Sequence, residues 1–205
     1  MPNISAVTVG APITAAKTNQ IIADVNRIGR IVVLPTSVAG SGVTLNSATG
    51  VVTASAASSV NVNGCFSDLY TSYQIEYILE TSASVGLNLR MRASGTDATT
   101  NYDNQRFTNI SATLSAQRNA GGSSFQADTI TLIGTHAGNM KLVDPFAATQ
   151  TLMFTDYLSF DATMTTSSGE GRTNGRHRTA TSYDGFTINP PSGTVTGTIK
   201  VYGLT

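Results

Sequence analysis

The sequence has few of the residues that usually carry chemistry. It contains one cysteine, two histidines and no tryptophan. A single cysteine excludes a disulfide framework within the chain and a zinc site built from the thiolates of one copy. We expect Cys65, between Gly64 and Phe66, to be a small buried apolar residue. Stability must therefore come from packing, and oligomerisation is a second source.

Charge is equally scarce. Charged residues make up 12% of the chain, and 12 Lys and Arg balance 12 Asp and Glu. A chain without net charge is not expected to be attracted as a whole to nucleic acid or to an anionic membrane. No apolar run approaches the length of about 18 residues that a transmembrane helix needs. Residues 1–4 have neither the basic nor the apolar region of a secretory signal.

Hydroxyl residues and short alternating segments dominate the sequence. Ser and Thr make up about a quarter of the 205 residues, and there are 19 glycines. Apolar and polar residues alternate with a period close to two in short segments that Gly, Ser, Asn and Asp separate. The predicted strands are 31–34, 43–45, 51–53, 73–79, 85–92, 129–133, 152–154, 158–164, 185–188 and 194–202, with 43–45 and 51–53 forming a hairpin. This pattern predicts an all-β, antiparallel β-sandwich of jelly-roll type.

One segment predicts a helix. Thr14 is an N-cap residue, residues 15–28 contain no Gly or Pro, and Gly29 is a natural C-terminal stop. A short seam with the spacing of a coiled coil runs along it, formed by Thr18, Ile21, Val25 and Ile28. Either the helix lies on its own domain or three copies meet on a threefold axis, and β-branched seam residues favour trimers. We predict a homotrimer with an attachment region at 1–59 and a β-sandwich domain at 60–205.

No catalytic motif stands out, and we predict that the chain is not an enzyme and needs no cofactor. His136 follows a predicted strand and His177 lies in a basic segment, so both are expected in turns or loops. No Gly-x-Ser-x-Gly elbow is present. Glu76 and Glu80 share a strand face but lie about 13 Å apart along it, farther than glycosidase carboxylates. A Glu–Asp pair from different strands remains open.

Two segments, 93–106 and 167–181, are polar and rich in turn residues, and we predict long loops there. Long loops are frequent binding sites. The candidate glycan- or receptor-binding residues are Tyr102, Asp103, Arg106, Arg172, Arg176 and Arg178. A solvated loop, or pairing between subunits with Asp156 or Asp161, is the alternative. Asp97 and Asp103 match no calcium-loop spacing, so no metal site is predicted.

Three segments resemble known proteins. The C-terminal residues 183–204, YDGFTINPPSGTVTGTIKVYGL, resemble the C-terminal signature of small tail, tail-fibre and head-fibre proteins of tailed bacteriophages. Residues 73–102, with LNLRMRASGTD at 87–97, are similar to the central strand and loop of the same proteins. Residues 10–19, GAPITAAKTN, resemble the short helical entry near the start of phage fibre and appendage proteins.

The resemblance implies a β-sandwich domain, trimeric assembly and a place in the virion, and it brings no catalytic residue. We therefore expect a trimeric tail-fibre or spike component that mediates host-surface attachment, in a virion assembled in the host cytoplasm. Its partners would be its own copies, other virion proteins at the N-terminal region and a host glycan, with no nucleic acid and no membrane insertion. The alternatives are a capsid decoration or head-spike protein, a glycan-degrading tail enzyme, and a cellular sugar-binding module.

Overall fold

A computed structural model describes residues 29–161 and 168–204 as an all-β, antiparallel structure. The described residues contain no helix, and the predicted helix 15–28 with its seam residues Thr18, Ile21, Val25 and Ile28 lies outside them. The strands are β1 (Arg30–Val32), β2 (Ser37–Ala39), β3 (Val43–Asn46), β4 (Val51–Ala57), β5 (Val60–Asn63), β6 (Ser72–Ala93), β7 (Thr96–Asp97), β8 (Tyr102–Ile110), β9 (Thr113–Gly122), β10 (Phe125–Val143), β11 (Thr151–Asp161), β12 (Ser168–His177), β13 (Gly185–Asn189) and β14 (Val195–Leu204). None of the described residues belongs to a helix that could cross a membrane.

Strand β6 is the centre of the sheet. It has 22 residues, several times the usual strand length of about five or six. One edge pairs with β10 over almost its whole length. The other edge pairs first with β14, where Thr81 faces Val195, and then with β13, where Leu89 faces Ile188. Two predicted strands, 73–79 and 85–92, are thus one continuous element.

The other strands extend the sheet on both sides of β6. Hydrogen-bonded neighbours follow the order β2-β5-β13-β6-β10-β11-β12-β8-β9. Strand β14 also pairs with β1 and β4, and β4 pairs with β3, which confirms the predicted hairpin. Strands β1 and β4 are therefore hydrogen-bonded to β14, whereas β2 pairs with β5 and β3 pairs with β4. Among the strands that the structure describes, β9 pairs only with β8, and nearly every side chain of β9 is exposed.

The core lies between the inner faces of these strands. The first half of β10 crosses the inner side of β12 and β8, where a Cβ on Gly175 would lie 2.7 Å from the Phe125 ring. Asn104 on β8 is hydrogen-bonded to the start of β10 at this crossing. Its amide donates to Ser124 O, and its Oδ1 accepts from Gln126 N. Cys65 is buried in this core, as predicted. Burial raises the pKa of its thiol well above the ordinary value.

Two glycines leave room for tyrosine rings that lie across neighbouring strands. Gly138 faces Tyr77, and Gly171 faces Tyr157. A Cβ would lie 2.3 Å from the Tyr77 hydroxyl oxygen at Gly138 and 2.5 Å from the Tyr157 ring at Gly171. The two rings therefore cover backbone where a side chain does not fit.

The predicted loops are largely strands. Residues 102–106 belong to β8, and Ser168–His177 is β12, which pairs with β8 from Gly169 to His177. The prediction was wrong because the inward positions of β12 are Gly169, Gly171, Thr173, Gly175 and His177. Without large apolar residues at those positions, a buried strand has the composition of a loop.

Candidate functional site

The six candidate binding residues divide between the two faces of the sheet. We call the face that carries Leu152, Phe154 and Leu158 the outer face. Asp103 and Arg176 are register partners on this face, and Arg172 lies there opposite Asp156. Arg178 follows β12 and approaches Asp103. Tyr102 and Arg106 alternate with these positions and belong to the inner face.

The outer-face charges are paired within the chain. Arg176 donates to Asp103 at 2.8 Å, and Arg178 lies 3.6 Å from the same carboxylate. The Arg176 hydrogen bond and that from Gly121 N hold the pKa of Asp103 below its usual range. Arg172 donates to Asp156 at 2.6 Å on an exposed surface. The sequence analysis considered pairing of Arg172 with Asp156 between subunits. In the structure these two residues pair within one chain.

Strand β11 gives the outer face an apolar stripe. Its side chains alternate without interruption from Thr151 to Ser159. The outward apolar residues are Leu152, Phe154 and Leu158, which are 38%, 46% and 42% exposed. In a chain with so little charge, three large apolar side chains on one exposed strand indicate a surface for contact with another molecule.

Tyr102 is buried and its hydroxyl is occupied. The hydroxyl accepts from Met91 N at 2.9 Å and donates to Ala98 O at 3.0 Å. Its ring packs edge-on against Phe125 and lies 4.3 Å from the His177 ring. Burial raises the pKa of Tyr102. In this position Tyr102 holds the turn after β7 against β6 and presents no surface to a ligand.

Arg106 also has partners within the chain. Its guanidinium donates to Gln117 on β9 and lies 3.5 Å from Gln126 on β10. Arg106 therefore links the exposed edge strand to the crossing half of β10. Of the six candidates, the fold brings Asp103, Arg176 and Arg178 together, while Arg172 lies on the same face beside Asp156.

A buried polar cluster joins β6, β10 and β11, and no sequence motif indicated it. Asp128, His136, Ser159 and Thr81 are all buried. His136 Nδ1 lies 2.9 Å from Asp128 Oδ2, and Ser159 donates to the same oxygen at 2.6 Å. His136 Nε2 lies 3.2 Å from the Thr81 hydroxyl. The prediction of His136 in a turn was wrong, because β10 continues through Gly134.

The cluster lies where the β6–β10 ladder is irregular. Register shifts occur between Gln126 and Gly134, and such bulges leave backbone groups without ladder partners. Asp128 Oδ1 accepts from Ile130 N at 2.8 Å, and Thr81 donates to Leu132 O at 2.9 Å. These side chains thus satisfy the buried backbone groups that the bulges release.

The cluster has the residue types of a hydrolytic triad but a different hydrogen-bond order. In a triad the nucleophilic hydroxyl donates to histidine Nε2 while the acid binds Nδ1. Here the Thr81 hydrogen is donated to the carbonyl of Leu132, and the Ser159 hydrogen goes to Asp128. Neither hydroxyl is activated by the imidazole, and burial keeps both away from a substrate. This arrangement supports the fold.

Asp97, considered for a cation loop, instead pairs with the buried Arg92. The Arg92 guanidinium also donates to Thr187 on β13 at 2.9 Å and to Asn63 on β5 at 3.1 Å. Arg92 on β6 therefore links β6 to β5 and β13 and pairs with the carboxylate of Asp97. Within the described residues, no three His, Cys, Asp or Glu side chains are grouped as a metal site requires.

Comparison with known proteins gives no relative from which to transfer a role. No protein-family model and no curated protein matches the chain.

Proposed function

We propose that this chain is a non-catalytic structural protein of a bacteriophage virion, a trimeric tail-fibre or spike component that mediates attachment to the host surface. The observation that carries the proposal is the apolar stripe of Leu152, Phe154 and Leu158 on β11. It sits among charges that are already paired within the chain. Such a face suits contact with a partner more than a reaction.

The phage assignment rests on the resemblance of residues 183–204. This segment supplies β13 and β14, which together pair with most of β6. The resembling residues thus lie beside β6, the central strand of the sheet. This placement supports a shared fold as the meaning of the resemblance.

We also propose that the sheet is a β-sandwich of jelly-roll type, and that 1–59 forms the attachment region. The crossing of β12 and β8 by the first half of β10 supports two packed layers. The trimer is proposed to form through Thr18, Ile21, Val25 and Ile28, with the N-terminal region docking onto other virion proteins. No cofactor, metal, nucleic acid or membrane insertion enters this proposal.

Sedimentation of the purified chain tests the assembly. A trimer has three times the chain mass of 21.3 kDa. Ile21→Asp with Val25→Asp introduces two charges into the proposed seam and should lower the mass. Val32→Asp, which places a charge at a 42% exposed position of β1 outside the seam, is the control. A monomeric wild-type chain rejects the trimer.

Position in the particle tests the role. Cross-linking of intact virions followed by mass spectrometry should place the chain beside tail proteins, in few copies. Many copies in contact with the capsid protein would instead assign a decoration or head-spike role. Absence from purified particles would reject the virion assignment. New reducing ends after incubation with host polysaccharide would identify a glycan-degrading enzyme and reject a non-catalytic role.

A further inference from the structure

Five exposed side chains form a continuous row across the outer face. Strand register places Lys141 opposite Phe154, Phe154 opposite Asn174, Asn174 opposite Gln105, and Gln105 opposite Arg118. We call these residues the Phe154 row. Four interstrand steps of about 4.8 Å give the row a length of about 19 Å.

Both ends of the Phe154 row carry a positive charge. Within the described part of the chain, neither Lys141 nor Arg118 forms an ion pair. The acids beside the row on this face, Glu76, Asp156 and Asp103, are bound to Arg30, Arg172 and Arg176 respectively. The row therefore offers two cations to a ligand, while the adjacent carboxylates are already neutralised.

The middle of the row combines an aromatic ring with two amides. Phe154 is 46% exposed, and Asn174 and Gln105 follow it in register. An aromatic face carries partial negative charge and attracts the C–H face of a sugar ring. Each amide offers donors and an acceptor to sugar hydroxyls. Cations at the two ends suit carboxylates carried by the same sugar chain.

We propose that the Phe154 row binds an acidic polysaccharide that lies across strands β10, β11, β12, β8 and β9. A sugar ring stacks on Phe154, hydroxyls bind Asn174 and Gln105, and carboxylates pair with Lys141 and Arg118. This inference rests on the proposed attachment function and names its ligand as a host-surface glycan rich in sugar acids.

A second copy of the chain fits the row less well. A two-fold contact centred on the row would bring Lys141 of one copy against Arg118 of the other. Like charges placed together across an interface oppose association. The charge distribution therefore favours an anionic ligand.

Binding of the purified chain to three acidic probes tests the proposal: polygalacturonate, polysialic acid and hyaluronate. Fully methyl-esterified polygalacturonate is the matched neutral probe. We expect at least one acidic probe to bind, and the binding to weaken with added salt. Failure of all three to bind better than the neutral probe overturns the proposal.

Variants then localise the binding. Lys141→Gln with Arg118→Gln, and separately Phe154→Ala, should each weaken binding by about tenfold or more. Phe107→Ala is the matched control, because Phe107 is 45% exposed on the same face but outside the row. It should change affinity less than about twofold. Equal effects of Phe154→Ala and Phe107→Ala contradict the proposed site.

Two readouts separate this proposal from the proposed function. A Phe154→Ala variant that changes the sedimenting mass but not probe affinity identifies the row as a contact between copies and overturns the glycan site. Cross-linking in virions does not depend on glycan binding. A virion protein without probe affinity therefore rejects this inference alone, and a probe-binding chain missing from particles rejects the proposed function alone.

Discussion

The Tyr183 hydroxyl lies 3.1 Å from Nδ1 of His177. Nε2 of the same ring lies 3.0 Å from the carbonyl of Thr100 and donates to it. In the neutral ring, a hydrogen on Nε2 leaves Nδ1 to accept from the Tyr183 hydroxyl. Burial lowers the pKa of His177 below its ordinary value. The sequence placed this histidine in a loop, whereas it closes β12 within the core.

Acid should weaken the fold through His177. The unfolded chain takes up a proton near pH 6.5, and the folded chain does so only at lower pH. The contribution of the neutral ring is therefore present above about pH 6.5 and is lost as the pH falls below it. Urea unfolding between pH 8 and pH 5 should show a smaller loss for His177→Gln than for the wild type. Equal pH dependence in both proteins would contradict the assignment.

The buried cluster should matter far more to stability than the exposed ion pairs. Asp128→Ala removes the acceptor of Ser159, His136 and Ile130 N. Ile130 N is then left unpaired in the core, whereas Ser159 Oγ and His136 Nδ1, 3.1 Å apart, can still bond to each other, so the free energy of unfolding should fall by about 1–3 kcal/mol. Asp156→Ala is the control, because it removes an exposed pair and should leave the urea midpoint unchanged. A midpoint shift as large for Asp156→Ala would refute this ranking.

A methyl group at Gly171 should destabilise the fold. Alanine there would place Cβ 2.5 Å from the Tyr157 ring. The ring cannot yield freely, because the Tyr157 hydroxyl lies 2.6 Å from Thr129. We expect Gly171→Ala to cost about 1–3 kcal/mol in urea unfolding. In Gly122→Ala the nearest contact is the end of the Asn119 side chain at 3.2 Å, so this control should unfold near the wild-type midpoint.

Tyr102→Phe should reduce stability and leave glycan affinity unchanged. The variant leaves Met91 N and Ala98 O without their hydrogen-bond partner, and each unsatisfied group costs about 1–3 kcal/mol. Tyr70→Phe is the control, since the Tyr70 hydroxyl makes no hydrogen bond within the described residues and its ring contact with Tyr73 is kept. Thermal unfolding and binding to the acidic probes provide the two readouts. Lost affinity at unchanged stability would place Tyr102 in the binding surface.

Strands with large alternating residues were predictable from the sequence. The periodicity of 129–133 and of 152–154 identified parts of β10 and β11, and the final two strands were recognised from Phe186 to Tyr202. Strand β12 was not predicted as a strand, because it has glycines at Gly171 and Gly175. The space at these positions is filled by Tyr157 and Phe125 from neighbouring strands. Such compensation depends on cross-strand register, which one sequence does not display.

The sequence predicted only part of the candidate site, because cross-strand register was again unknown. Spacing grouped Arg172, Arg176 and Arg178, and the structure keeps Arg172 and Arg176 on one face. Tyr102 was included because it is next to Asp103 in sequence, yet adjacent strand residues point to opposite faces. The Phe154 row draws on five strands, and only their pairing order reveals it.

The position of β14 also has a consequence for synthesis. Its partners β1, β4 and β6 are synthesised long before it. Until β14 is made, the edge of each partner that pairs with β14 has no hydrogen-bond partner. Nascent chains would stay unable to close the sheet until translation has passed residue 204, and such long-range pairing folds slowly. During that interval the unpaired edges of the early strands are sites at which nascent chains can aggregate.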